Sequence, residues 1–154
     1  MRASPARGRP LAVFLGIALA TFAVDQLTKG LAAHLLRPSA PVPLLGPWLR
    51  LNLAHNLGSA FGLVSVGWAL LVAAIVVCLA ILVYAARGGL TRRPGRALWL
   101  GLIFGGSVGN LADRLRTGGV VDFIDLRVWP VFNVADIAIT AGFALLAVRL
   151  LRGR

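Results

Sequence analysis

Long apolar runs constrain this chain more than any other feature of its sequence. Residues 66–86 carry no charge, and about 20 apolar residues are enough for an α-helix to cross the hydrocarbon core of a bilayer. Further apolar runs cover residues 11–36, 97–114 and 132–151. With 58% hydrophobic residues and a mean hydropathy of +0.85, the composition excludes a soluble enzyme and a disordered chain. The sequence predicts an all-α membrane protein with four transmembrane helices in a single domain, residues 1–154.

The basic residues indicate how these helices are oriented. The chain has 16 Lys and Arg residues against five Asp, for a net charge of +11. Ten of the basic residues lie in the termini and in the connection at residues 87–96, and cytoplasmic loops are enriched in Lys and Arg. We therefore expect both termini in the cytoplasm and the irregular segments 37–57 and 115–130 outside. Because the basic residues separate apolar runs and form no stripe on a polar domain, nucleic-acid binding is not expected.

Clusters of polar side chains lie at the predicted outer ends of the first and third apolar runs. Asp25 and Lys29 are one helical turn apart, acid first, which favours an ion pair that anchors the helix end. Asn110, Asp113 and Arg114 lie together at the end of the third run, and an Asp beside an Arg stays ionised. We interpret both groups as mainly structural, with Arg114 also a candidate for substrate contact.

Asp122 and Asp136 differ from the other acids because both have apolar neighbours and neither has a basic residue within four positions. If two such carboxyl groups approach each other, they cannot both ionise cheaply, so one keeps a proton while the other accepts one. That is the chemistry of an aspartic protease: one carboxylate activates water and the protonated partner polarises the scissile carbonyl. Helix caps or a proton relay are the alternatives that spacing leaves open.

Other catalytic chemistries find little support in the sequence. Neither an HExxH motif nor a cluster of His and Cys is present, so no metal or other cofactor is expected. The single cysteine, Cys78, lies in the most apolar run, away from His34 and His55, and is interpreted as a packing residue. Lys29 follows Asp25 by one turn, which argues against a Ser and Lys dyad.

Five short motifs occur in order along the four apolar runs: DQxTK at residues 25–29, NxGxAF at 56–61, GGxxGNxxDR at 105–114, VVDF at 120–123 and FNxAD at 132–136. In this arrangement the chain, from about residue 11 to residue 151, resembles the lipoprotein signal peptidase family, the type II signal peptidases of bacteria. The resemblance implies a membrane-embedded aspartic endopeptidase of the bacterial inner membrane, with its active site near the outer face. Its substrate would be a diacylglyceryl-modified prolipoprotein, cleaved on the N-terminal side of the lipidated cysteine.

The same resemblance assigns roles to individual residues. The catalytic acids fall on Asp122 and Asp136, the two Asp already distinguished by their apolar surroundings. The family's supporting polar residues correspond to Asp25, Lys29, Asn56, Gly58, Asn110, Asp113, Arg114 and Asn133. The family also implies a small β-cradle formed by segment 37–57 on the outer face and a lid formed by segment 115–130. Beyond the prolipoprotein and membrane lipids no partner is expected, and we predict a monomer.

Two other functions are compatible with the composition. A small proton or solute transporter could use the outer acids as a relay, although the second and fourth runs lack ionisable residues in their inner halves apart from terminal arginines. A structural membrane subunit is the other alternative, and its acids would tolerate replacement.

Overall fold

A bundle of α-helices carries a small sheet at one end in this computed structural model, which describes residues 5–58, 66–91 and 95–152. The helices are α1 (Pro5–Leu35), α2 (Val66–Ala86), α3 (Arg96–Thr117) and α4 (Val134–Leu151). The strands are β1 (Val42–Leu45), β2 (Leu49–Asn56) and β3 (Val120–Asp125). A 3-10 turn, Gly89–Thr91, lies between α2 and α3 at the other end of the bundle.

The helices match the predicted apolar runs closely, with differences at their ends. Helix α1 begins at Pro5, six residues before the predicted run, and includes Pro10. Helix α3 continues to Thr117 and ends at Gly118, whose φ of 77° and N–H bond to the Arg114 carbonyl form a left-handed C-terminal cap. Helix α4 starts two residues later than predicted, because Asn133 caps it.

Three of the helices are long and apolar enough to cross a membrane, over Gly8–Leu35, Trp68–Ala86 and Val134–Leu151. Helix α3 is less apolar, and it packs against each of the other three helices. Its buried side includes Ser107, Asn110 and Asp113, which makes it the polar centre of the bundle. The count of four spans therefore stays a prediction.

Glycines on α3 allow α1 to approach it closely. A Cβ on Gly105 would contact the backbone of Ala18 and would lie 2.8 Å from Thr21 Cβ. On the next turn, a Cβ on Gly109 would collide with the carboxylate of Asp25. Small residues four positions apart on α3 thus serve helix packing, and they also make room for a charged side chain between two helices.

The sheet is antiparallel, with strand order β1, β2, β3. Strands β1 and β2 lie in segment 37–57, where the resemblance implied a small β-cradle, and the pairing of β2 with β3 joins the two irregular segments. The register shifts between Leu51, opposite Ile124, and Ala54, opposite Asp122. Residues 120–125, which belong to the segment expected to form a lid, are thus a strand of the sheet.

We predict that Gly105→Ala destabilises the protein, because the added methyl group has no space against the α1 backbone. Overpacking of this kind costs about 1–3 kcal/mol, which corresponds to a loss of several degrees in melting temperature. Gly16→Ala is the matched control: a Cβ on Gly16 in α1 meets nothing within 4 Å, so this variant should be neutral or stabilised. Thermal unfolding of both variants in detergent tests the difference, and equal stability would contradict the packing.

Candidate active site

A buried lysine forms the charged centre at the sheet end of the bundle. Lys29 Nζ lies 2.9 Å from Asp25 Oδ2 and 2.8 Å from Asp113 Oδ2, and all three side chains are at least nine-tenths buried. The ion pair predicted within α1 is therefore present, but it is shared with α3. Lys29, and not the adjacent Arg114, is the cation paired with Asp113.

Two asparagines connect this ionic centre with the two candidate catalytic acids. Asn110 Oδ1 accepts a 2.8 Å hydrogen bond from Lys29 Nζ, while its Nδ2 donates to Asp136 Oδ1 at 2.8 Å. Asn133 Nδ2 donates to Asp122 Oδ1 at 2.6 Å and also to Asn110 Oδ1 at 3.2 Å. Asp122 and Asp136 thus belong to one continuous hydrogen-bond network.

Asp122 lies on β3 with only 2% of its surface exposed. Burial has the largest effect on its pKa and raises it to about 6; the hydrogen bond from Asn56 opposes this shift, and the charge of Asp136 adds to it. Asn56 Nδ2 lies 3.0 Å from Asp122 Oδ2, and its own Oδ1 accepts the N–H of Gly58. Gly58 has a φ of 82°, a backbone conformation that favours glycine. The bond from its N–H to Asn56 Oδ1 orients the amide that contacts Asp122.

Asp136 lies in the first turn of α4, where it also caps the helix. Its Oδ2 accepts the Asn133 N–H at 3.2 Å, and Asn133 Oδ1 accepts the Asp136 N–H at 3.0 Å. This reciprocal capping box fixes the carboxyl group at the helix start. The helix-cap interpretation is therefore correct for Asp136, and it is compatible with a second role, because the side chain is only half-buried.

Asp25 places α4 relative to α1. Its Oδ1 accepts the backbone N–H of Ala135 at 2.9 Å, while Oδ2 contacts Lys29. Ala135 directly precedes Asp136, so a carboxylate of α1 positions the helix turn that carries this acid. The supporting role expected for Asp25 thus has a direct geometric basis.

A groove of about 470 Å³ opens beside Asp136 along α4. Its walls are almost entirely apolar: Leu126, Trp129, Phe132, Ile137, Thr140, Ala141 and Ala144. Of the two candidate catalytic acids, Asp136 lines this groove and Asp122 does not.

Arg114, the candidate for substrate contact, donates to the Asn110 carbonyl at 3.3 Å.

Sequence reasoning did not identify the roles of Gln26 and Asp125. Gln26 Nε2 donates to Asp113 Oδ1 at 3.0 Å, and its Oε1 accepts from Arg116 at 3.0 Å. Asp125 Oδ2 accepts from Arg50 Nε at 2.6 Å and from Asn52 at 3.0 Å, which ties β2 to β3. Arg50 and Asn52 are two positions apart on a strand and share a face, a weak signal that the sequence did contain.

All the predicted site residues are among those the structure describes, and all lie at the sheet end of the bundle. The last three residues quoted for the second motif, at positions 59–61, lie outside the described residues. Among residues 5–58, 66–91 and 95–152, no group of three His, Cys, Asp or Glu side chains is placed to hold a metal ion. The site therefore offers carboxyl, amide, ammonium and guanidinium groups for chemistry.

Comparison with known proteins identifies relatives over nearly the whole chain. The family model described as signal peptidase (SPase) II matches residues 17–152. A lipoprotein signal peptidase of Moorella thermoacetica is 44% identical over 138 residues, which cover 90% of this chain and 92% of that protein. A lipoprotein signal peptidase of Pelotomaculum thermopropionicum is 43% identical over 140 residues, with the same coverage of both chains.

Solved structures agree with these sequence relatives. A bacterial membrane enzyme determined by the in meso method at 1.9 Å resolution matches with a TM-score of 0.83 and 27% identity, over 93% of this chain and 95% of that chain. A second, at 2.3 Å resolution, matches with a TM-score of 0.81 and 27% identity, over 92% of this chain and 88% of that chain. The fold described above is therefore similar to that of solved membrane enzymes.

We predict that Lys29→Met strongly destabilises the protein, because it leaves two buried carboxylates without their cation. Breaking a buried ion pair by removing one partner costs about 3–5 kcal/mol. Arg37→Gln removes an exposed positive charge just beyond the end of α1 and should change stability by less than about 0.5 kcal/mol. Chemical unfolding in detergent micelles measures both effects, and a near-normal Lys29→Met protein would contradict the central role of this lysine.

Proposed function

Since the chain belongs to the signal peptidase II family, we propose that it is a membrane aspartic endopeptidase in which Asp122 and Asp136 cleave signal peptides from lipoprotein precursors. The observation that carries this proposal is the Asn133 side chain. It donates to Asp122 while it forms the capping box with Asp136. One amide side chain therefore sets the relative position of the two carboxyl groups.

The proposed reaction is general acid and base catalysis by the pair. The ionised carboxylate takes a proton from a water molecule, which attacks the scissile carbonyl carbon. The protonated carboxyl donates its proton to the carbonyl oxygen, which gives a tetrahedral intermediate. When this intermediate collapses, the amine nitrogen takes the proton that the first carboxyl removed from water, a hydroxyl of the intermediate returns a proton to the second carboxyl, and the C–N bond breaks. Arg114 is the proposed donor to the substrate's backbone or to the developing oxyanion.

Asp122 is the proposed protonated member of the pair in the resting enzyme. Its burial raises its pKa to about 6, and no buried lysine or arginine forms an ion pair with it among the described residues. Asp136 is half-buried at the edge of the apolar groove, where a water molecule has access to it. We therefore assign the activation of water to Asp136.

The substrate proposed is a prolipoprotein with a diacylglyceryl group on the cysteine that follows the cleaved bond. Its signal helix and its acyl chains both partition into the bilayer, so the membrane itself brings the bond to the depth of the carboxyl pair. The apolar groove beside Asp136 is the proposed path for an acyl chain or for apolar signal-peptide residues, since its lining is almost entirely hydrocarbon.

The proposed membrane arrangement has four spans, with α3 as the fourth crossing helix. Its 22 residues extend about 33 Å, enough for the hydrocarbon core. Since β2 pairs with β3, the end of α1, the end of α3 and the start of α4 lie at the sheet end of the bundle, which supports this arrangement. The positive-inside rule then puts both termini in the cytoplasm and the active site near the outer face of the bacterial inner membrane.

Two other parts of the prediction stay proposals, namely the monomeric state and a lid over the site. The predicted lid segment 115–130 is wrong for its first part, because residues 115–117 complete α3 and residues 120–125 form β3, so we limit the lid to segment 126–130. The transporter alternative gains nothing from the relatives described above, which are peptidases by name.

We predict that Asp122→Asn and Asp136→Asn each lower kcat by a factor of about 10² to 10⁴, the usual contribution of a general acid or base. Asparagine keeps the shape of the side chain, and folding should persist because burial already disfavours the charged form of Asp122. Cleavage of a diacylated prolipoprotein, followed by mass measurement of the product, gives the rate. Near-normal turnover by either variant would remove that residue from the mechanism.

Asp125→Asn provides a matched control on the same strand. Asp125 is three residues from Asp122, so its side chain lies on the opposite face of β3, where it binds Arg50 and Asn52. This variant should lower the melting temperature while the folded fraction keeps its activity. If all three variants lost activity in proportion to their loss of stability, the Asp pair would have only a structural role.

The rate of cleavage should fall as the pH rises through the pKa of Asp122, because the mechanism needs its protonated form. We expect the alkaline limb of kcat/KM near pH 6, with activity present below that value and lost above it. Asn56→Ala removes a hydrogen bond that favours the ionised carboxylate, so the limb should move to higher pH. An unchanged limb in this variant would show that Asp122 does not control it.

A further inference from the structure

A second groove lies at the end of the bundle opposite the carboxyl pair. It has a volume of about 380 Å³ and is bounded by the last turns of α2 and α4 and the first turn of α3. Arg96, which lines it, precedes Asp113 by 17 residues on the same helix, or about 25 Å. The groove is therefore separate from the proposed active site.

Two guanidinium groups line this groove. Arg96 lies over the ring of Tyr84, with its Cζ 5.4 Å from the ring centre, and donates to the Gly89 carbonyl at 3.3 Å. Arg149 reaches across from α4, so that a Cβ on Gly95 would lie 3.0 Å from its Nη1. An arginine has five N–H donors. The groove thus presents guanidinium donors from two helices, α3 and α4.

Trp99 adds a neutral donor to the same lining. Among the described residues, its indole Nε1 is buried and has no hydrogen-bond acceptor. Buried polar groups are normally paired, because an unpaired one costs about 1–3 kcal/mol. An acceptor supplied by a ligand would satisfy it.

The remaining lining is apolar and continues toward the lipid-facing side of α2. Leu146 and Leu150 of α4 and Ala80 and Ile81 of α2 form the walls. Ala80 and Tyr84 also border a larger groove of about 730 Å³, whose other walls are mainly aliphatic residues of α2. Positive charge and hydrocarbon surface therefore meet at one end of the helix bundle.

We propose that this groove binds an anionic phospholipid, with its phosphate group at Arg96 and Arg149 and an acyl chain along α2. Basic pockets between transmembrane helices on the cytoplasmic side recognise such headgroups. The phosphate and ester oxygens supply acceptors for the guanidinium groups and for the Trp99 indole. A free anion would leave the apolar walls without a partner, which is why the occupant is a lipid.

Native mass spectrometry of the full-length protein in detergent tests this proposal. The purified chain is incubated with equal amounts of phosphatidylglycerol and phosphatidylcholine that carry identical acyl chains. We expect about tenfold preferential retention of phosphatidylglycerol, and the Arg96→Gln and Arg149→Gln double variant should reduce the ratio to near one. A wild-type ratio near one would overturn the proposal.

Two further variants separate the site from general effects. Arg152→Gln removes an exposed charge at the same end of the bundle but outside the groove, and it should keep the preference. Ala80→Trp fills the groove without changing charge, and it should reduce retention of phosphatidylglycerol even if the double variant fails to fold. Three results would contradict a lipid in this groove. They are loss of the preference in Arg152→Gln, normal binding by Ala80→Trp, and a wild-type protein that forms a dimer without bound lipid.

Discussion

The contact on which the polar end of this protein depends is the ion pair of Lys29 with two aspartates. A buried charge is tolerated only when it is paired and hydrogen-bonded, and Lys29 meets this condition through Asp25, Asp113 and the amide oxygen of Asn110. These partners come from α1 and α3. The position of each helix at the sheet end is therefore set by electrostatics, while glycine contacts and apolar packing set their separation deeper in the bundle.

Two neutral amide side chains connect this charged centre to the two candidate catalytic acids. Asn110 and Asn133 donate to Asp136 and Asp122 without adding a positive charge beside either one. A lysine in the same place would hold both carboxyl groups ionised, which would remove the proton that an aspartic pair needs. The network thus combines a rigid geometry with an environment in which Asp122 can remain protonated.

Much of this architecture follows from local sequence. Apolar runs predicted the helices, and the spacing of Asp25 and Lys29 predicted their ion pair. Asp122 and Asp136 could be selected because basic neighbours are missing from both. The partnership of Lys29 with Asp113 and the pairing of β2 with β3 join segments whose relation depends on tertiary packing, so local periodicity does not reveal them.

The left-handed turn at Gly118 limits how the length of this chain can vary. Only two residues, Gly118 and Gly119, separate α3 from β3, and the backbone N–H of Val121 is already within 3.4 Å of Asp113. Side chains alternate between the faces of a strand, so one inserted residue here would rotate Asp122 toward the opposite face. An insertion or deletion at this junction would therefore separate the acid from its amide partners.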